Sequence, residues 1–138
     1  MSEFLCRTSL SSQGGWASIR DMGTTDAPTS DTGEEDFLFL PGNTYIAVRP
    51  DSEGEASVEI RVGEPDRDDC SLLVEKVLNI KSGVISVSDV VVQDEETLRL
   101  PRSGEWTMSF YVAGEPSVRE VVVFLKEQEW KTANIDNA

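Results

Sequence analysis

From Asp36 onward the chain is governed by a two-residue period, and no other feature narrows its fold so far. Val58, Ile60 and Val62 alternate with Ser57, Glu59 and Arg61, and Trp106, Met108, Phe110 and Val112 alternate with Thr107, Ser109 and Tyr111. Successive side chains of a strand point to opposite faces, so such runs predict strands with one face on a core and the other in water. Residues 44–49 repeat the pattern through Ile46 and Val48, with shorter runs at 16–20, 37–40 and 98–100. Turn formers stand between the runs: Pro41-Gly42, Pro50-Asp51-Ser52-Glu53-Gly54, Lys81-Ser82-Gly83 and Pro101-Arg102-Ser103-Gly104. Eight or nine short strands at this spacing predict an all-β antiparallel sandwich.

Three segments depart from plain alternation. In residues 71–81, Leu73, Val77 and Ile80 fit a helical stripe, whereas Leu72, Val74, Leu78 and Ile80 fit a strand interrupted by Lys76. The Gly-containing turn that follows, leading into the alternating 84–88, is a hairpin signature, so a strand is expected. Between Ser88 and Val92 the apolar phase slips by one residue, which calls for a bulge or bend. Val121-Val122-Val123-Phe124 is apolar at every position and predicts a central strand buried on both faces. The expected core is Phe39, Ile46, Val48, Val58, Ile60, Leu78, Ile85, Val87, Leu98, Leu100, Trp106, Met108, Phe110, Val122 and Phe124.

Length confines these strands to one domain, residues 1–138, because half of the chain could not bury an adequate core. A long polar loop is expected over residues 21–35 and a polar tail over 126–138, with Trp130 as its one large anchor. No apolar run approaches the ~20 residues that cross a bilayer, and the first residues lack a basic-then-apolar leader. Cytoplasmic residence is therefore expected. In a reducing compartment Cys6 and Cys70 are most simply unpaired thiols; a disulfide would require export.

The chain has no histidine, hence no Ser-His-Asp or Cys-His arrangement and no imidazole zinc site. It has no phosphate-cradling glycine loop either. Carboxylate pairs are so abundant that their spacing singles out none, and a non-enzymatic protein without cofactor is the expectation.

Charge points to a partner. Twenty-six acidic residues against twelve basic ones give a net charge of −14, which repels nucleic acid and anionic membrane and attracts basic protein surfaces. Four clusters in expected loops are the candidate partner-binding residues: Glu34, Glu35 and Asp36; Asp51 and Glu53; Asp66, Asp68 and Asp69; Asp94, Glu95 and Glu96. Acidic loops on one edge could cover a basic nuclease or toxin, with Trp16, Trp130 and Tyr45 as aromatic anchors. Two alternatives stand beside this reading. Asp51-x-Glu53-Gly54-Glu55 has the oxygen ligands of a calcium- or ligand-binding loop, though not the twelve-residue EF-hand pattern. The chain could also be a structural subunit of a larger assembly.

Residues 78–87, Leu-Asn-Ile-Lys-Ser-Gly-Val-Ile-Ser-Val, are followed at 98–106 by Leu-Arg-Leu-Pro-Arg-Ser-Gly-Glu-Trp. This succession of strand, Gly turn, strand and Leu-x-Leu-Pro-x-x-Gly turn into an aromatic-bearing strand resembles the competence protein J family, bacterial inhibitors of a DNA-entry nuclease. The similarity spans about residues 39–112 and leaves the N-terminal quarter unaccounted for. It implies a β-sandwich that binds a nuclease. It carries over no inhibitory residue by position, because the shared motif is structural.

Overall fold

The computed structural model describes residues 2–29, 35–91, 95–114 and 117–127. Among them ten strands form two five-stranded sheets. In chain order these are β1 (Ser2–Leu10), β2 (Trp16–Asp21), β3 (Phe37–Leu40), β4 (Asn43–Ala47) and β5 (Ala56–Gly63). Then come β6 (Ser71–Ile80), β7 (Val84–Asp89), β8 (Glu95–Arg99), β9 (Gly104–Ala113) and β10 (Glu120–Glu127). The first sheet runs β1-β5-β10-β9-β6 and the second β3-β4-β2-β7-β8. Neighbours are antiparallel except β5 and β10, which run parallel. The protein is an all-β sandwich.

Alternation does what the sequence requires. Val58, Ile60, Leu78, Met108 and Phe110 of the first sheet share one core with Ile19, Ile46, Ile85 and Val87 of the second. Each such fully buried side chain contributes roughly 1.5–3 kcal/mol. Phe39 and Leu98, expected inside, are half-buried and pack against that core from the edge strands. Lys76 interrupts the apolar phase of β6 because β6 is an edge strand: its ammonium lies over the Phe39 ring at 5.3 Å. A cation at that position discourages further strand addition.

Three expectations change and a fourth is narrowed to one of its alternatives. β1 was not anticipated, since a register shift between Phe4 and Cys6 breaks its alternation. The turn Lys81-Ser82-Gly83 is not a hairpin but carries the chain from the first sheet to the second. Both connections need the same local chemistry, here Gly83 at φ 76°, and only the long-range partners distinguish them: β6 pairs β9, and β7 pairs β2. Of the bulge or bend expected after Ser88 the structure has the bend: β7 stops at the buried Asp89, and the chain bends at Val90 and Val91, which are exposed. β10 also continues to Glu127, into the segment expected as tail; Trp130 lies outside the described residues.

The resemblance motif finds its structural meaning at two of the four inter-sheet crossings. The turn from β8 to β9, Pro101-Arg102-Ser103, lies beside that from β6 to β7, and the Leu100 amide donates to the Gly83 carbonyl at 2.8 Å. The guanidinium of Arg102 sits over the Trp106 ring at 4.9 Å.

β10 is buried on both faces, as its composition requires. Val121, Val123 and Leu125 enter the core, while Val122 and Phe124 are equally buried on the outer side of the first sheet. Phe124 meets the Tyr111 ring edge-on at 5.4 Å, and the link between β5 and β6 passes over the same face. These strands point the same way but are separated by β10 and β9, so residues 64–70 must cross the outer face. The crossing spans three strand spacings, about 14 Å, and runs back along β9 from Thr107 to Val112, about 17 Å. Seven residues cover this diagonal of about 22 Å with little slack, bending at residue 64 and again over 68–70. Arg67 fastens the strap, at 3.0 Å from Glu120 and 3.9 Å from Glu59, whose side chain is only 8% exposed. Arg61 also reaches Glu59, at 3.0 Å. Both cysteines are free: Cys6 lies on β1, Cys70 in the strap, and burial raises both thiols above their usual range.

If the strap is held this way, Arg67→Ala should cost about 2 kcal/mol in urea unfolding, since it strips two carboxylates of a charged hydrogen-bonding partner. Arg7→Ala, at a half-exposed position in the same network, should cost under about 1 kcal/mol.

Candidate functional site

The topology brings three of the four acidic clusters to one end of the sandwich. Asp36 precedes β3, and its carbonyl accepts the Ala47 amide at the end of β4. Asp51 and Glu53 form a short 3₁₀ turn between β4 and β5, and Glu95 and Glu96 begin β8. All these points share an end because β2–β4, β2–β7 and β7–β8 are each antiparallel and in register. The 3₁₀ turn is firmly seated. The Asp51 amide donates to Ser12 O at 2.7 Å, the Ser117 hydroxyl donates to Glu53 Oε1 at 2.7 Å, and Arg49 Nε donates to Glu55 O at 2.7 Å. Asp51 and Glu53 are exposed.

The fourth cluster is elsewhere. Asp66, Asp68 and Asp69 lie on the strap. Asp66 accepts from the Ser2 amide and hydroxyl, each at 2.7 Å, and Asp69 pairs with Arg67. These bonds hold both carboxyls below the usual range. Glu34 and Asp94 lie outside the described residues. The calcium-type reading of Asp51, Glu53 and Glu55 gains no support: among the described residues no three acidic or cysteine side chains converge as metal ligands.

Beside the acidic end, the outer face of the second sheet is hollow. A cavity of about 440 Å³ has Ser18 and Arg20 of β2, Asn43 and Tyr45 of β4, and Ser88 and Glu95 towards β8 in its lining. Its far wall is Thr24 to Ala27, from the segment expected as a loose loop. That wall is pinned: Gly42 N donates to Asp26 Oδ2 at 2.8 Å, Asn43 Nδ2 to Asp26 O at 2.9 Å, and Pro28 is buried. A Cβ on Gly42 would fall 2.4 Å from Thr24 Oγ1, so glycine is what allows the wall to approach.

Three polar contacts organise the floor. Ser18 Oγ donates to Asn43 Oδ1 at 2.9 Å, Arg20 meets Glu95 Oε2 at 3.1 Å, and Ser86 Oγ donates to the same Oε2. Ser86 first, and Arg20 after it, hold the Glu95 carboxyl below its usual 4.5. Trp16 and Tyr45, flagged as aromatics without a clear place in the core, form a tilted pair at 6.4 Å. Ser18, Arg20, Asn43, Ser86 and Ser88 had gone unnoticed as site residues. They are outward-phase positions of alternating strands, and alternation does not say which outward face stays open.

Superposition of the sandwich on solved structures places the chain in a structural class, the competence protein J-like fold. It superposes on ComJ, inhibitor of the DNA degrading activity of NucA, from Bacillus subtilis, with a TM-score of 0.72 and 10% identity, covering 91% of this chain and 97% of that one. It is also similar to the crocagin biosynthetic gene J protein, with a TM-score of 0.58 and 11% identity, covering 93% and 99% of the two chains. No family model matches the sequence, and no curated protein matches it. The likeness therefore lies in the fold, and extends over the N-terminal quarter that the sequence motif had not reached.

Because the folded-state pKa of Glu95 is depressed, its contribution to stability is present above the ordinary glutamate value and fades as pH falls through the folded one. Ser86→Ala should raise the Glu95 pKa towards 4.5 in a carboxyl NMR titration. It should also reduce the stability lost between neutral and acidic pH.

Proposed function

We propose that the chain is a non-enzymatic inhibitor of a nuclease, acting by binding a basic protein surface. The observation that carries this reading is the gathering of acidic turns at one end of a sandwich built like ComJ. A nuclease must hold phosphates and so presents basic groups around its active site. An acidic end can cover such a site without chemistry of its own. Long-range attraction would speed the encounter, and buried aromatic anchors would supply much of the affinity.

On this reading Asp36, Asp51, Glu53, Glu95 and Glu96 form the contact edge, together with Glu35 beside Asp36. The Trp16–Tyr45 pair is its anchor. Asp66 and Asp69 serve mainly to hold the strap, so they contribute charge more than contact. Cytoplasmic residence and the absence of any need for a cofactor belong to the same proposal. Among the described residues no helix is long and apolar enough to cross a membrane.

The test is to capture the partner on the immobilised full chain at low salt and assay the eluted protein on DNA with and without added chain. A captured nuclease silenced at stoichiometric amounts supports the proposal. Its association rate should fall steeply with salt, and Asp51→Lys with Glu53→Lys should slow association about ten-fold or more. A partner without nuclease activity, or a nuclease unaffected by the chain, would overturn it.

A further inference from the structure

The first sheet has its outer face closed by the strap, whereas the second keeps a walled, polar hollow whose floor residues Ser18 and Asn43 are buried and already bonded to each other. A merely solvated sheet face needs no wall. This one has a wall held by side-chain and backbone bonds and by a glycine that cannot be enlarged without a clash.

The lining is unequal in charge. Among the described residues of the lining, Asp26, Asp89 and Glu95 contribute carboxylates, and Arg20 is the one basic residue. The Arg20–Glu95 pair shows that a guanidinium fits against this carboxylate at hydrogen-bond distance. Both contacts to Glu95, from Ser86 and Arg20, fall on Oε2, and among the described residues Oε1 has no partner. An ionised carboxylate can accept about four hydrogen bonds, so Glu95 has capacity for a second cation.

The aromatic side of the cavity is likewise unfilled. The Phe4, Phe39 and Trp106 rings each carry a basic side chain from within the chain, at 5.9, 5.3 and 4.9 Å. Among the described residues the Tyr45 ring carries none, and Trp16 lies beside it, tilted by 46°. Tyr45 and Glu95 stand on opposite sides of the floor, in one register row with Ser18 and Ser88 between them and about 14 Å apart at the backbone, so a long basic side chain can lay its stem towards the ring while its head meets the charge. At about 30 Å³ per water, the cavity has room for such a side chain with several waters around it.

We propose that this cavity is the anchor pocket for a single arginine or lysine of the basic partner, received between the Tyr45 ring and the Glu95 carboxylate. It rests on the reading that the chain binds a basic protein, and sharpens it. The acidic end steers the partner, and one basic side chain entering the hollow fixes the register. Ser86 keeps the carboxylate aimed, and Arg20 neutralises it while the pocket is empty.

The test uses no nuclease, so its outcome is separate from that of the inhibition assay. The ¹⁵N-labelled full chain is titrated with N-acetyl-arginine methylamide and, in parallel, with the citrulline analogue, which has nearly the same shape without the charge. The arginine compound should shift the amides of Ser18, Arg20, Tyr45 and Ser88 saturably, with a dissociation constant on the order of millimolar. The citrulline compound should not. Glu95→Gln should weaken binding about five-fold or more, Tyr45→Leu should also weaken it, and Tyr45→Phe should leave it intact. Unchanged signals elsewhere in each spectrum verify the fold.

Equal shifts from citrulline, shifts centred on Asp51 and Glu53 instead of the cavity, or indifference to Glu95→Gln would each overturn the pocket. A pocket that passes in a chain that inhibits no nuclease would leave the anchor standing and remove the nuclease reading. Inhibition without a pocket response would do the reverse.

Discussion

The structure turns on a strand that must be covered twice. β10 is apolar on both sides, and a sandwich supplies a cover for only one. The core takes Val121, Val123 and Leu125; Val122 and Phe124 need something else. Tyr111 lies against Phe124 and the strap of residues 64–70 passes over the same face, and its fastening through Arg67 explains why Glu59 and Glu120, two carboxylates with little exposure, can be tolerated there. With the first sheet closed on its outer side, the second sheet retains the walled hollow.

That asymmetry divides the acidic residues into two kinds. Those on the strap are occupied by the chain itself, through Ser2 and Arg67. At the other end, by the turns that flank β2, β4 and β7, Asp36 and Asp51 stand exposed on seated backbone, with Glu53 bonded to Ser117 and Glu95 to Ser86 and Arg20, next to the hollow of the second sheet. A partner drawn by the net charge would meet a rigid edge rather than a loose acidic segment, so less ordering entropy would be spent on binding. The polar floor behind that edge offers groups able to orient a single side chain, which charge alone cannot do.

The likeness to ComJ at 10% identity shows how little of such a sandwich depends on particular residues. What is shared is overall form; in this chain the two sheets are joined by adjacent crossings, with Gly83 in the left-handed region and Leu100 bonded to its carbonyl. Any sequence with the right periods and a residue that accepts this backbone can satisfy it. Contact residues are free to diverge, and the chemistry of the end and the hollow must be read from this chain's own side chains.

The sequence by itself determined the strands with clear alternation, the doubly buried β10, most of the core and the acidic bias, because each is set by local period or simple composition. It flagged Trp16 and Tyr45 as lacking a clear place in the core. Tertiary structure decided the rest. Whether Lys81-Ser82-Gly83 makes a hairpin or a crossing depends on which distant strand each neighbour finds, and β1 owes its existence to β5, since its own alternation is broken at Phe4 and Cys6. Which acidic turns meet, and which outward face stays open to form a pocket from Ser18, Arg20, Tyr45 and Glu95, likewise follows from strand order. Period tells a side chain which way to point; only the assembled sheets say what it points at.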